Sequence, residues 1–229
     1  MTVHDIAKTE RIEMYLKAVY TVSHAAPPVT IAKVADYMGV SSPSSYEMLK
    51  RLEGQGLLST GTEHGYRLTR QGLETATHVI RRLRLAERLL TDVLRLDLPD
   101  VYAEACKMEH VISPEVEARL DTVLGHPSTC PHGLPIPPAG VAPETQPGPT
   151  TALPTLDRVA VWERAAVTSI PEEDRAIVAH LVEIGLTPGA RLQVREVGPF
   201  DGPITLLVGA QIRALGRDVA RLVRVRPEA

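Results

Sequence analysis

The placement of proline is the strongest constraint on how this chain folds. Nine of its 19 prolines fall between positions 127 and 154. Residues 122–143 carry no Asp, Glu, Lys or Arg, a run long enough to be taken for a membrane span. Pro127, Pro131, Pro135, Pro137, Pro138 and Pro143 forbid a continuous helix there, because each removes a backbone donor and clashes with the preceding turn. From 139 to 152 neither a helical nor a strand period exists. The chain is therefore expected to divide into a larger N-terminal part and a smaller C-terminal part, joined by an extended linker at 139–153.

The 229 residues, 44% hydrophobic and 23% charged, suit a soluble globular protein with a sizeable core. Aromatic residues make up 3%, with one Trp and one Phe, which excludes the stacking platforms that grip single-stranded nucleic acid. A net charge of −3 excludes a generally basic protein, so any nucleic-acid surface must be local. Residues 1–98 hold 13 basic and 11 acidic residues, 99–156 hold 2 and 7, and 157–229 hold 10 and 10. The N-terminal part is thus the net positive one. The N-terminus lacks the apolar core of a secretory signal, so a cytoplasmic protein with no membrane segment is expected. Cys106 and Cys130 are then read as thiols rather than as a disulfide.

Spacing of apolar residues predicts a first helix through Ile12, Tyr15, Leu16, Val19 and Tyr20, stopped by Pro27 and Pro28. A short helix over 31–38 ends at Gly39, and another starts after Ser41, Ser42 and Pro43 and runs to Glu53. Segments 56–59 and 66–69 flank a Gly-bounded turn and read as a hairpin. A helix-turn-helix followed by a hairpin is a winged helix, here 1–72. A long helix carries Leu73, Ala76, Val79, Ile80, Leu83, Leu90, Val93 and Leu94; helices over 99–111 and 114–124 follow. So much Leu and Val, added to a domain with its own core, suggests a dimer interface within 73–138. Strands at 159–162, 192–197, 204–208, 211–215 and 222–225 around a helix at 172–184 indicate a small barrel over 154–229. The fold class is mainly α with a small β domain.

Cys106, Glu109 and His110 stand at i, i+3 and i+4 and share one helical face. Thiolate, carboxylate and imidazole are ordinary ligands of a divalent transition metal. Alone, the pattern also fits a buried small hydrophobe beside a solvated Glu-His pair, or a catalytic Cys-His pair, for which no orienting residue is evident.

Segments 84–90, 104–111 and 126–137, with Glu13-Met14-Tyr15-Leu16 near the start, resemble the diphtheria toxin repressor family of metal-dependent regulators over nearly the whole chain. The resemblance implies a DNA-binding winged helix, dimerising middle helices and an SH3-like barrel beyond a Pro-rich tether. It implies a primary metal site at Met14, Cys106, Glu109 and His110, with Met14 tying the DNA-binding end to the dimerisation domain. For the family's ancillary site Glu87 is retained, but Leu83 and Tyr102 stand where histidine is usual, so a degenerate, absent or rebuilt site is expected. Glu172 or Glu173 could help rebuild it. His126, Cys130 and His132 look like a zinc cluster by composition, yet the prolines between them favour a packed turn. Arg81, Arg82, Arg84 and Arg88 read most simply as a solvated face.

The candidate recognition helix places Ser41, Pro43, Ser44, Ser45, Glu47, Lys50 and Arg51 toward DNA, with N-terminal residues at base edges and Lys50 or Arg51 at phosphate. Tyr46 is either on that face or in the core, and the serines could be only caps. Glu47 can accept from cytosine N4 and is repelled by phosphate, which implies an operator of its own. The expected function is a homodimeric, metal-dependent repressor of metal homeostasis genes that binds double-stranded operator DNA, with Mn(II) or Fe(II) as co-repressor and no enzymatic activity. A metal-independent winged-helix regulator sensing a small molecule is the alternative; a hydrolase using Glu109 as base is a third.

Overall fold

The computed structural model describes residues 3–61, 65–140 and 153–228. Two compact units are present, Met1–Arg82 with Pro137–Thr151 and Leu83–Ile136 with Ala152–Ala229. The division falls inside one helix. Residues 141–152 of the expected linker and 62–64 of the expected hairpin lie outside the described residues.

In the first unit, helix α1 (Val3–Ala25) ends just before the Pro27-Pro28 pair. Helix α2 (Ile31–Met38) starts where the Thr30 hydroxyl accepts from Lys33 N at 3.3 Å, and stops at Gly39, whose φ of 63° is readily adopted by glycine. Helix α3 (Ser42–Gly54) is capped by the Ser41 hydroxyl, with Pro43 in its first turn. Strands β1 (Leu58–Thr60) and β2 (Tyr66–Leu68) pair antiparallel, with Leu58 opposite Leu68. The first half of helix α4 (Arg70–Arg88) closes this unit by burying Leu73, Ala76 and Ile80 against Leu16, Val19, Leu49, Leu52 and Tyr66. Each such Leu contributes roughly 2 kcal/mol through removal from water. This is a helix-turn-helix with its hairpin.

The second unit begins on the other half of α4, where Leu83, Ala86 and Leu90 pack with Val101, Ala105 and Ile112. The expected single long helix through Leu94 instead ends at Arg88 and continues as a π-helical turn, Leu89–Val93. Helices α5 (Leu98–Met108) and α6 (Pro114–Val123) follow. Beyond the linker come β3 (Arg164–Ser169), α7 (Arg175–Glu183), β4 (Arg191–Val197), β5 (Ile204–Val208), β6 (Gln211–Leu215), α8 (Arg217–Ala220) and β7 (Arg224–Glu228). The five strands form one antiparallel sheet in the order β6-β5-β4-β3-β7. Register shifts at Val167/Ser169 and Val194/Glu196 bend it over a core of Val178, Leu181, Leu192, Val194, Leu206 and Val225. The strand expected at 159–162 is not one: a 3-10 turn (Leu156–Arg158) precedes it, Trp162 takes φ 71°, and the strand falls on Ala-rich β3. Among the described residues no helix is long and apolar enough to cross a membrane.

Candidate metal centre and nucleic-acid interface

The segment after α6 is held by its own turn geometry. Thr129 and Pro135 bridge, Cys130 N donates to Leu134 O at 2.8 Å, and Gly133 N donates to Cys130 O at 2.9 Å. Prolines supply carbonyls without matching N–H groups, and the arginines of α4 provide the missing donors. Arg84 donates to Pro135 O, and Arg88 Nε to Thr129 O at 2.7 Å. In the first unit Arg81 likewise donates to Pro137 O at 2.8 Å, while Arg82 pairs with Glu13 at 3.2 Å. The expectation of a solvated arginine face is thereby corrected: Arg81 and Arg84 are buried.

The same turn meets the sheet. Ile170 N donates to His132 O at 3.0 Å, and Gly133, at φ 83°, lies so close to the Thr168 carbonyl that a Cβ would collide with it. This docking gathers four side chains from three places in the sequence. Glu87 from α4, Cys130 and His132 from the turn, and Glu172 between β3 and α7 bring one ligand atom each within 4.8 Å of one another. His132 Nδ1 lies 3.2 Å from Glu87 Oε1, Cys130 Sγ 3.9 Å from Glu172 Oε2, and Arg84 Nη2 3.8 Å from Glu172 Oε1.

Both Glu87 oxygens and both His132 nitrogens are buried and make no hydrogen bond. Buried polar groups are nearly always satisfied, so an unpartnered carboxylate and imidazole whose ligand atoms converge with those of Cys130 and Glu172 fit a cation site. Burial pushes the Glu172 carboxyl up to about 7, opposed by Arg84 and reinforced by Glu87. Burial also pushes the Cys130 thiol well above its ordinary range, with Glu87 and Glu172 adding to it. A divalent cation would reverse both tendencies. Two carboxylates, an imidazole and a thiolate suit Mn(II), Fe(II) or Zn(II).

Leu83 and Tyr102, which stand where histidine is usual in the family, pack in the core of the helical part. The turn at 126–132 packs as expected, and its packing also brings Cys130 and His132 beside Glu87 and Glu172. His126 stays outside, its exposed ring 2.8 Å from Asp121. A Cys-Pro-His spacing was visible in sequence, but its carboxylate partners were not adjacent.

Of the expected primary ligands, Cys106 is half-buried near the end of α5, and Glu109 and His110 follow in the next turn, His110 Nε2 at 3.2 Å from Glu109 Oε1. Glu109 is fully buried, and its backbone still bonds helically to Ala105 O at 3.0 Å. Met14 is half-buried on α1, in the other unit. Among the described residues, only the Glu87 cluster draws three or more Cys, His or acidic ligand atoms so tightly together.

On α3, Ser41, Pro43, Glu47, Lys50 and Arg51 are exposed and Ser44 is half-buried. Ser45 departs from expectation: it is fully buried, one step round the helix toward Leu49 and Leu52, and faces the core. Tyr46 takes the outer face instead, 46% exposed. Lys50 Nζ is held 2.8 Å from Glu53 Oε2, and the Thr60 hydroxyl on β1 donates to Glu53 Oε1. On α6, Val116 and Val123, with Val111 before it, leave an exposed apolar strip.

Residues 8–66 match the iron-dependent repressor N-terminal DNA-binding domain, 69–138 the iron-dependent repressor metal-binding and dimerisation domain, and 155–227 the FeoA domain. The chain is 36% identical to the iron-dependent repressor IdeR of Mycobacterium tuberculosis over 223 residues, 93% of this chain and 95% of the relative. The chain belongs to the diphtheria toxin repressor family. Within it, the diphtheria toxin repressor of Corynebacterium diphtheriae is 32% identical over 93% of this chain and 95% of its own. Among solved family structures, a manganese-dependent transcriptional repressor in complex with manganese superposes with a TM-score of 0.82 at 29% identity, covering 94% of this chain and 99% of that one. ScaR with bound Zn2+ gives 0.78 at 28%, covering 94% and 98%.

Proposed function

We propose that this family member is a homodimeric transcriptional repressor that binds operator DNA when loaded with Mn(II) or Fe(II), and that it acts in the cytoplasm on metal homeostasis genes. The observation that supports this reading is the Glu87–Cys130–His132–Glu172 cluster, whose ligand atoms all lie within 4.8 Å of one another, with the Glu87 oxygens and His132 nitrogens buried and unpartnered. A bound divalent ion would add positive charge beside the two buried carboxylates, which Arg84 offsets only in part. Glu87 and Glu172 would hold it by oxygen, His132 by nitrogen and Cys130 by sulfur. Met14, Cys106, Glu109 and His110 are the primary ligands that the family likeness suggests. The apolar strip on α6 suits the second protomer.

We assign residues 1–72 to DNA binding, 73–138 to metal binding and dimerisation, and 154–229 to the SH3-like domain. Metal that binds better to the operator-competent arrangement shifts the population toward it. No catalytic step is required. The deciding experiment titrates Mn(II) and, anaerobically, Fe(II) against binding to a selected operator duplex. Affinity that rises with metal in the wild type and fails to rise in His110→Ala or His132→Ala supports the reading. Affinity indifferent to metal would favour a small-molecule regulator.

A further inference from the structure

The outer face of α3 is built from residues three and four apart, Pro43, Tyr46, Glu47, Lys50 and Arg51, and its two halves differ in chemistry. In the C-terminal half, Lys50 is tethered to Glu53, and Glu53 to Thr60 of the hairpin. The Lys50 ammonium is thereby held toward the hairpin. The N-terminal half offers an apolar ring and an acceptor with no cation between them. Tyr46 is 46% exposed there, whereas Tyr15, Tyr20 and Tyr66 of the same unit are buried. Its neighbour Ser45 is fully buried, which fixes the rotation of the helix and leaves Tyr46 no place in the core.

On a recognition helix the N-terminal half meets base edges, and the code there is apolar contact with the thymine 5-methyl and acceptance from cytosine N4. We propose that Tyr46 is a specificity-determining residue that packs its ring on a thymine methyl, next to the cytosine read by Glu47, so that each half-site carries thymine and cytosine at neighbouring positions. This rests on the DNA-binding function proposed above. The hydroxyl is not needed for the contact; the ring is.

The test selects operators from a random duplex library with the Mn(II)-loaded full chain as wild type, Tyr46→Phe and Tyr46→Ala. It then measures affinity on duplexes in which single thymines are replaced by deoxyuridine, which lacks only the methyl. The wild type and Tyr46→Phe are expected to select one thymine per half-site and to lose about fourfold in affinity when its methyl is removed, the worth of one buried carbon. Tyr46→Ala is expected to accept any base there and not to sense the methyl, while keeping its metal requirement and its preference for cytosine. Selection of the wild-type operator by Tyr46→Ala with equal stringency would overturn the assignment, as would a wild type that senses no thymine methyl. Loss of the preference in Tyr46→Phe would also overturn it, by assigning the role to the hydroxyl. A wild type that selects no operator with or without metal would overturn the functional reading itself.

Discussion

His132 Nδ1 lies 3.2 Å from Glu87 Oε1, and both side chains are completely buried. Beyond this close contact, neither the His132 nitrogens nor the Glu87 oxygens find a partner in good hydrogen-bond geometry. Left without a cation this contact is costly, because each buried, unsatisfied polar group forfeits about 1–3 kcal/mol of solvation.

Metal should therefore stabilise the protein. At a free Mn(II) concentration about 100-fold above the dissociation constant, linkage contributes about 2.7 kcal/mol. Thermal melts followed by circular dichroism, with chelator and with Mn(II), should show a clear rise in midpoint. In Glu87→Gln combined with His132→Ala the rise should shrink. An equal rise in that variant would remove the cluster from the metal sites.

His132→Ala should also weaken metal binding at this centre by more than about tenfold, since even outer ligands of metal sites are worth 10–100-fold. Titration calorimetry, with metal content measured after gel filtration, reads the loss. Retention of full stoichiometry and affinity would contradict the assignment.

Gly133→Ala tests the docking of the turn rather than its ligands. The residue sits at φ 83°, and an added Cβ would run into the Thr168 carbonyl. Strain and displacement together should cost about 2–4 kcal/mol in denaturant melts. Metal affinity should fall with it although no ligand is altered.

Arg84→Ala removes the guanidinium that bonds Pro135 O and faces Glu172. Breaking a buried pair leaves the surviving charge uncompensated, at a cost of about 3–5 kcal/mol. Urea unfolding of the metal-free protein measures it, and a loss below about 1 kcal/mol would show that the arginine is dispensable.

Glu53→Gln releases Lys50 from its carboxylate partner and removes a negative charge beside the DNA-facing helix. Non-specific DNA affinity should rise, and the slope of log affinity against log salt should steepen by about one phosphate contact. Fluorescence anisotropy across a salt series checks this; an unchanged slope would mean that Lys50 does not reach phosphate.

Much of the architecture is written locally. Helix α2 was legible because Thr30 caps it and Gly39 ends it, and β5 and β6 because apolar runs stand between glycine turns. Strand β3 was not legible: Ala165 and Ala166 carry little apolar signal, and the sheet, pairing β3 with both β4 and β7, supplies what the residues lack. The arginines of α4 were misread for a related reason, since charge normally means solvent. Here the carbonyls of a proline turn, which have no donors of their own, draw Arg81 and Arg84 inside.

The proline-dense segment by itself determined that this chain is divided, and the helix-turn-helix and the Cys106–Glu109–His110 spacing are equally properties of the sequence, because each depends on neighbours within a few residues. The candidate metal cluster at Glu87, Cys130, His132 and Glu172 is decided only by tertiary structure. Glu87, the Cys130–His132 turn and Glu172 come together when the turn docks on the end of β3 beside α4, and burial there strips the groups of water, which favours a cation. No spacing encodes that, because the contacts are made between segments whose separation along the chain carries no period.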